Sequence, residues 1–457
     1  MSVFSLLSAL KDPYSLEEAF GAKDCTSRAM RAAIARWFLL YYEREATEDS
    51  DPCQQIAYTV VNKLTKTTFG EYKASSQDAF VQAVLTALDK RKQQAMQMAL
   101  VGGECFVKPF PFNGGFSFSV VPRDNVLMFG RDAEGTPTDI GTAEYTAEGG
   151  KYYTLLERRT VDTKGYLTIR NLLYCSEMPQ TLGRRVSLQS LERYAALPEE
   201  YTYPVPLHSL GLARMKTPIE NCVDGTKDGV AVYAKVTGLI RNIDRNEAQI
   251  NGEFDRGKSR IFVDETMLRN RDGRKALTDS VFVGAPGDYQ SGGITIFSPA
   301  LREQSFLNRK REYLRNVENI IGIKRGLLSE VEAQERTAKE ITSSEGDYNL
   351  TIIDIQGMWT GAVLEAVRLC GILGKLYRVP GAHEAPKDAV VLDYGNGVLY
   401  DEEKTWADYK DMVAQGLLKP EIAVGWRFNM PTETEADLAK IRKKYMPELQ
   451  QLAAGEE

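Results

Sequence analysis

The segment Gly252–Ser259 has the glycine, lysine and serine spacing of a phosphate-binding loop, G-x-x-x-x-G-K-[ST]. In such a loop, backbone N–H groups and the N-terminus of the following helix hold the phosphates, so a strand must precede it and a helix must follow it. Here a long helical pattern precedes the segment, and a strand-like run, Arg260–Val263, follows it. This reversed order favours a helix that ends near Gly257, with Lys258 beside the negative end of that helix.

Other residue types that commonly carry catalysis are sparse. The two histidines, His208 and His383, each lie in a loop-like context, and a surface or packing role explains them most simply. Acidic pairs recur at helical spacing, which is typical of a solvated helix face as well as of a carboxylate dyad; they are Glu332/Glu335 and Glu340/Glu345. The sequence therefore predicts no enzymatic activity and no cofactor.

The six cysteines are scattered, and no two of them form a C-x-x-C pair. This pattern predicts reduced, buried thiols and argues against a zinc site or a disulfide framework. The residues are Cys25, Cys53, Cys105, Cys175, Cys222 and Cys370.

The composition is that of a globular chain with room for two or three domains. Its 457 residues are 43% hydrophobic and 26% charged, and the formal net charge is −6. No apolar run approaches the roughly 18 residues of a membrane span, and Met1–Leu10 lacks a basic region and a cleavage site. We therefore expect a protein that stays in the cytosol in which it is made.

The first half of the chain changes from helical to β periodicity. Apolar residues recur at helical spacing in Asp24–Tyr42 and in Ser76–Leu100, and Gly102-Gly103 marks the end of the second helix. Short β-type runs separated by glycine-containing turns then predict an antiparallel meander. The runs are Cys105–Phe110, Phe116–Val121, Val126–Phe129, Thr138–Tyr145, Tyr152–Val161 and Tyr166–Tyr174. Tyr203–Glu220, with three prolines, indicates an extended connector.

Two long amphipathic helices are predicted next, over Gly229–Asp255 and Pro299–Gly322, with a β-rich and turn-rich insert, Ser259–Ser298, between them. The pattern beyond them predicts a helix, a polar loop, a further helix, a strand pair and short terminal helices. These elements are Glu330–Thr342, Ser343–Asp347, a helix to about Tyr377, Val390–Leu399, and the last fifty residues. The fold class expected from this order is α+β.

Four stretches, taken in this order, resemble the portal proteins of tailed bacteriophages, in particular those of siphophages that infect Gram-positive hosts. No single stretch is diagnostic, and the order of the elements carries most of the resemblance. The stretches are Ala99–Lys108, Tyr152–Tyr174, Gly257–Asp264 and Gln334–Glu345.

The resemblance implies a ring, generally of twelve subunits, around an axial tunnel for double-stranded DNA. It implies a wing at residues 1–225, stem helices at 229–256 and 299–322, a clip at 257–298, a wing return at 323–400 and a crown at 401–457. It also implies a place in the virion, at one vertex of the capsid. The implied partners are the terminase large subunit, a head–tail adaptor, and the major capsid and scaffolding proteins, with no membrane.

Within such a ring, the basic residues of the stem helices face DNA phosphates or pair with acids on neighbouring helices, namely Asp244, Glu303, Glu312 or Glu318. The tunnel constriction is expected in the polar loop Ser343–Asp347, with Ile323–Leu328 as the rival. The candidate tunnel residues are Arg241, Arg245, Arg302, Arg309, Lys310, Ser343, Ser344, Glu345 and Asp347. The candidate partner-binding residues of the clip are Arg269, Arg271, Arg274 and Lys275.

Two other hypotheses remain open at the level of sequence. The first is a nucleotide-dependent enzyme that uses Gly252–Ser259, and loss of nucleotide binding on replacement of Lys258 discriminates it. The second is a virion or scaffold adaptor that never encloses DNA, and the presence or absence of a central hole in the particle discriminates it.

Overall fold

The computed structural model describes residues 14–42, 53–179, 181–257, 260–264, 282–285, 294–297, 300–329, 338–395, 402–428, 430–432 and 434–446. The chain divides into two compact units. The first comprises Met1–Phe69 and Lys73–Leu392, and the second comprises Gly70–Tyr72 and Asp393–Glu457. Helices and largely antiparallel sheets occur together, which confirms the α+β class.

Helices dominate the start of the first unit, as predicted. They are α1 (Tyr14–Phe20), α2 (Arg28–Tyr42), α3 (Ile56–Thr68), α4 (Ala79–Asp89) and α5 (Lys92–Gly102), and a short strand, β1 (Lys73–Ser75), precedes α4. The single helix predicted over Ser76–Leu100 was wrong, because the chain turns at Arg91. The Arg91 N–H donates to the Leu88 carbonyl at 2.8 Å, and its guanidinium Nε donates to the Phe118 carbonyl at 3.1 Å.

The predicted end of α5 at the glycine pair is confirmed, and the structure supplies a second reason for it. Gly103 has a φ of +80°, in the left-handed region that favours glycine. A Cβ atom on Gly103 would lie 2.3 Å from the backbone carbon of Gly229. The chain that leads to the long helices therefore passes directly against the end of α5.

The strands described between residues 104 and 216 form two antiparallel sheets. Their bounds are β2 (Glu104–Phe112), β3 (Gly115–Pro122), β4 (Val126–Arg131), β5 (Pro137–Glu148), β6 (Lys151–Val161), β7 (Leu167–Ser176), β8 (Arg184–Val186), β9 (Glu200–Thr202) and β10 (Ala213–Lys216). One sheet has the order β10-β2-β3, and the other has β4-β5-β6-β7-β8, with β9 also paired to β7. The meander is confirmed from β4 onward. The segment predicted as a connector, Tyr203–Glu220, contributes β10 to the smaller sheet.

The larger sheet is covered on both faces, and neighbouring leucines divide between them. Leu156 and Leu172 are partners across β6 and β7, and they pack with α1. Leu155 and Leu173, the adjacent pair, pack on the opposite face with residues 188–194. Because successive strand residues point to opposite faces, two apolar residues in a row indicate a sheet buried on both sides.

The two long helices are α6 (Thr237–Arg256) and α7 (Glu303–Ile321), and the insert between them contains β11 (Arg260–Asp264), β12 (Phe282–Ala285) and β13 (Ile294–Phe297). Helix α6 begins later than the predicted Gly229, after a 3₁₀ turn at Ala234–Val236. The preceding residues are tied to the N-terminal helices instead. The Val232 N–H donates to the Leu100 carbonyl at 3.0 Å, and the Tyr233 hydroxyl donates to the Trp37 carbonyl at 2.9 Å.

Helix α8 (Ala338–Leu376) is continuous through the polar segment that had been predicted as a loop. The prediction of a loop at Ser343–Asp347 was therefore wrong. Gly346 costs about 1 kcal/mol inside a helix, but the segment contains no proline, and α8 buries Ile352, Ile355 and Trp359 further along. Burial of that apolar face stabilises the helix enough to extend it through the polar residues.

The strand β14 (Val391–Asp393) pairs with β1. The first strand of the pair predicted within Val390–Leu399 is present and pairs with β1, while the predicted second strand falls on residues 396–401, outside the described part of the chain. The described residues of the second unit form short helices, as expected: α9 (Glu402–Ala414), α10 (Pro420–Arg427) and α11 (Glu435–Tyr445). Its aromatic rings pack in pairs, with Tyr409 and Trp426 centroids 5.1 Å apart and Phe428 stacked on Tyr445 at 4.5 Å.

Candidate functional site

Helices α6 and α7 pack side by side in antiparallel directions. Arg302 at the start of α7 bonds to Glu253 near the end of α6, with Nη2 to Oε2 at 2.8 Å and Nε to Oε1 at 3.0 Å. About two turns further along α7, Lys310 Nζ lies 2.7 Å from Glu247 Oε2. Because residue numbers fall on α6 as they rise on α7, the two helices form a hairpin, and each is about 30 Å long at 1.5 Å per residue.

The tip of this hairpin closes tightly at Gly257. A Cβ atom on Gly257 would lie 2.2 Å from Leu301 Cδ2. The Gly257 N–H donates to the Glu253 carbonyl at 2.7 Å, so it continues the helical hydrogen bonding of α6. The Leu301 side chain therefore packs directly over Gly257, and a larger residue at that position would force it to move.

The same geometry bears on the phosphate-loop match. Residues 252–256 belong to α6, and strand β11 begins at Arg260. The expected order of helix before and strand after is confirmed for the described residues, while Lys258 and Ser259 lie outside them. A phosphate cradle needs backbone N–H groups that are not already bonded, and helical hydrogen bonding occupies those of residues 252–257.

The insert at the hairpin tip is a three-stranded sheet of order β12-β11-β13. Strand β11 pairs with β12 in parallel and with β13 antiparallel, with Ile261 opposite Phe282 on one side and Ile296 on the other. The candidate partner-binding residues of the insert lie outside the described residues; they are Arg269, Arg271, Arg274 and Lys275.

Two of the basic residues predicted to face a tunnel tie the hairpin together. Lys310 is partly buried and bonds both to Glu247 and to Gln54 Oε1, the latter at 3.0 Å. Arg302 remains largely exposed but is held by both carboxylate oxygens of Glu253, whose hydrogen bonds raise the pKa of the guanidinium. Arg241, half-buried on α6, also has an interaction partner.

Arg245 and Arg309 are exposed members of the predicted set that bond within their own helices. Arg245 is exposed and donates to Asn242 Oδ1 at 3.2 Å, one turn back on its own helix. The guanidinium of Arg309 lies 4.5 Å from the centroid of the Tyr313 ring and donates to Glu312 at 3.3 Å. The register set by Glu247 and Lys310 places these two arginines at one level of the hairpin.

Helix α7 carries apolar side chains that the single chain leaves in solvent. Leu307 is 39% exposed and Ile320 is 53% exposed, whereas the helix fully buries only Val317 and Glu318 among its described residues. Thirteen residues, or about 20 Å, separate Leu307 from Ile320 along the helix, so they are two separate exposed apolar positions on α7.

Glu318 was expected to pair with basic side chains of the stem helices. In the structure its carboxylate is occupied by other donors. It is completely buried, and its carboxylate accepts hydrogen bonds from the segment that follows α7. Oε1 accepts from the N–H groups of Gly326, Leu328 and Ser329 at 3.1, 2.7 and 2.9 Å, and Oε2 accepts from the Ser329 hydroxyl at 2.7 Å. Sequence reasoning missed this role because three of the four donors are backbone groups, which no residue type reveals.

The two candidate constriction segments differ in backbone structure. Ser343, Ser344, Glu345 and Asp347 lie on the backbone of helix α8. The rival segment, Ile323–Leu328, is non-helical and follows α7 directly. Only the rival has the loop character on which the prediction depended.

The remaining candidate residues have structural partners. His383 Nε2 lies 2.7 Å from Asp78 Oδ2, and its Nδ1 lies 2.9 Å from the Gly381 carbonyl, which raises the pKa of the imidazole. Cys105 and Cys370 are buried free thiols, as predicted, but Cys25 is exposed. The acidic side chains Glu332, Glu335, Glu340 and Glu345 lie outside the described side chains.

A buried charge cluster was not predicted at all. Arg123 and Glu104 are both fully buried, with Arg123 Nε 3.2 Å from Glu104 Oε1. Arg214 approaches the other carboxylate oxygen at 2.7 Å, and Asp228 contacts both Arg123 and Arg131. Burial alone raises the pKa of Glu104, but the arginines lower it below its usual range. This cluster joins β2 and β10 to the segment that leads to α6.

Within the described residues, no helix is long and apolar enough to cross a membrane. The same part of the chain contains no group of three or more metal-ligating side chains.

No protein-family profile matches the sequence, and no curated protein matches it. Among solved structures, the chain is similar to one in "Neck of native GTA particle computed with C12 symmetry", with 12% sequence identity and a TM-score of 0.47. The match covers 91% of this chain and 98% of that one. At this level of similarity the match assigns neither fold nor function to this chain.

Proposed function

We propose that this chain is the portal subunit of a tailed bacteriophage, a non-enzymatic protein that forms a ring around a channel for double-stranded DNA. The α6–α7 hairpin is the stem, the β11–β13 insert is the clip, and the C-terminal helices form the crown. The observation that carries the proposal is the hairpin itself. It is an antiparallel helix pair with a small sheet at its tip, and its second helix exposes both apolar and cationic side chains.

A ring explains why α7 is so exposed in the single chain. Each subunit needs an apolar surface for its neighbour and a polar surface toward solvent in the channel. Leu307, on the face of α7 opposite Arg309, and Ile320, near the C-terminal end of the helix, supply the apolar contacts, and the exposed Arg245 and Arg309 supply the polar ones. The cations contact phosphates without reading bases, so binding is non-specific and weakens with salt.

The segment Ile323–Leu328 is the preferred constriction of this channel, because the alternative segment is helical. The proposed partners follow from the assembly. The clip docks the terminase large subunit and later a head–tail adaptor, and the wing contacts capsid and scaffolding proteins. Twelve subunits are expected, at one vertex of the virion.

The first test is the size and shape of the purified protein. Twelve copies of the 51.1 kDa chain give a particle of about 0.6 MDa by light scattering, and negative-stain averages show a ring with an open centre. A monomer at micromolar concentration, or a closed or filamentous particle, contradicts the proposal. The latter outcome favours an adaptor that never encloses DNA.

A second test separates the ring from a nucleotide-dependent enzyme. The wild-type protein is titrated with a fluorescent ATP analogue and Mg²⁺, and K258A is titrated beside it. The portal proposal expects no binding by either protein. Saturable binding that K258A abolishes supports the enzyme, because a phosphate loop depends on that lysine.

A further inference from the structure

Glu318 receives hydrogen bonds from almost the whole segment that follows α7. Its backbone carbonyl accepts from the N–H groups of Gly322 and Ile323, both at 3.1 Å. Its carboxylate accepts from Gly326, Leu328 and Ser329, as described above. One buried residue at the end of a helix therefore holds both the beginning and the end of residues 322–329.

The donors explain why a carboxylate occupies this position. They are three backbone N–H groups and one hydroxyl, and an ionised carboxylate offers only acceptors to them. Hydrogen bonds to an ionised acceptor are the stronger kind, and converging N–H dipoles stabilise a buried negative charge. A glutamine of the same size would turn an NH₂ group toward some of these donors.

The segment has the form of a hook with anchored ends and an exposed tip. Ile323 and Ser329 are 5% and 7% exposed, whereas Lys324 and Arg325 are exposed. Gly322 and Gly326 have φ values of +77° and +91°, and the Leu327 N–H donates to the Lys324 carbonyl at 3.2 Å, which closes the turn. The Thr351 hydroxyl also donates to the Gly322 carbonyl at 3.2 Å, so helix α8 supports the same end.

We infer that Glu318 is a positioning residue: it fixes residues 322–329 as a rigid hook that presents Lys324 and Arg325 to the phosphate backbone of duplex DNA. The inference deepens the proposed function and, for its ligand, rests on it. A loop that is already ordered loses little conformational entropy on each contact. Because the hook is rigid, its repeated weak contacts with a moving duplex then occur at a constant distance from the axis of the channel.

The positioning role is tested by hydrogen–deuterium exchange on the full-length protein, and three variants are compared with the wild type. E318Q keeps the size of the side chain, S329A removes only the hydroxyl donor, and E303Q is the matched control, because it removes an exposed charge from the same helix. We expect exchange in peptides covering 323–329 to rise roughly ten- to a hundredfold in E318Q, since hydrogen bonds to a charged group are lost. E303Q should match the wild type.

Exchange of residues 323–329 in E318Q that is no faster than in E303Q would overturn the inference. Should E318Q fail to fold, S329A decides the question. A severalfold rise confined to residues 323–329 supports the hook, and wild-type exchange there overturns it.

The ligand is tested separately, by fluorescence anisotropy of a labelled 30-base-pair duplex over a salt series. The double variant K324A/R325A and E318Q should both weaken binding and reduce its dependence on salt. If the exchange result holds and neither variant changes DNA binding, the hook stands but its assignment to phosphates is wrong. Since exchange needs no ring, failure of ring formation overturns the proposed function and leaves the positioning role of Glu318 intact.

Discussion

Lys310 on α7 and Glu247 on α6 lie 2.7 Å apart and join the two helices at mid-length. The side chain of Lys310 is 25% exposed and that of Glu247 is 23% exposed. The pair is therefore better shielded than a surface salt bridge, although not deeply buried. It sets the register of the hairpin on which the proposed stem depends.

We expect a double-mutant cycle of K310A and E247A to give a coupling energy of about 1 kcal/mol in urea unfolding. The control cycle is R309A with E312A, an exposed pair one turn apart on a single helix. Its coupling should be smaller, because water screens both charges. Equal coupling energies in the two cycles would show that the Lys310–Glu247 ion pair does not stabilise the packing of α6 against α7.

The buried cluster around Glu104 leads to a larger expected effect. Replacement by glutamine leaves Arg123 buried beside a neutral partner, and breaking a buried pair from one side costs about 3–5 kcal/mol. E104Q should therefore lower the free energy of unfolding by that order or fail to fold. The control is E144Q, whose partner Arg193 is half-exposed, and it should change stability by less than about 0.5 kcal/mol. Comparable losses in both variants would contradict the role given to the cluster.

The features that could be predicted from the sequence are those that depend on residues close together in the chain. Alternating apolar residues and glycine turns located the strands from Cys105 to Tyr174 within a few residues, because strand periodicity and turn chemistry act over neighbours. The helix–sheet–helix order at residues 229–322 was predicted for the same reason. The end of α5 followed from Gly102-Gly103, although its packing against Gly229 could not.

The features that could not be predicted depend on contacts between distant residues. Arg123 and Glu104 look like surface charges in the sequence, yet Arg214 and Asp228 complete a buried cluster around them. The same is true of Glu318, whose partners are backbone groups. The polar run Ser343–Asp347 has loop composition, but burial of residues further along α8 overrides that local preference.

Glu157 makes the free energy of unfolding of the first unit depend on pH in the acidic range. Burial alone raises its pKa, but Arg159 Nε at 2.7 Å and Lys108 Nζ at 2.6 Å lower the pKa to about 2. Since the folded pKa lies below the ordinary value of 4.5, the stabilisation is full above pH 4.5 and is lost as the pH falls toward 2.

We expect this carboxylate to contribute about 3 kcal/mol at neutral pH. E157Q lacks the titrating group, so its free energy of unfolding should fall less steeply between pH 5 and pH 3 than that of the wild type. The two curves, measured by urea unfolding, should converge as the pH decreases. Curves that stay parallel over this window would exclude Glu157 as the source of acid sensitivity.

The exposed apolar residues of α7 make the ring proposal testable without imaging. L307D and I320D each place a charge on a surface that a neighbouring subunit covers in the ring, where an unpaired charge is costly. In the single chain both positions are already in solvent, so the folded subunit tolerates the change. We expect each variant to elute as a folded monomer or small oligomer in light scattering, since surface substitutions away from a buried contact change stability by only about 0.5 kcal/mol.

The matched control is M178D, whose side chain is 64% exposed after β7 and outside the hairpin. It should assemble like the wild type, because the proposed stem contact does not include it. Assembly of L307D and I320D at wild-type concentration would mean that α7 does not face a neighbouring subunit. Something other than a neighbouring subunit would then have to cover Leu307 and Ile320. The proposal that the hairpin lines a channel would lose its main support.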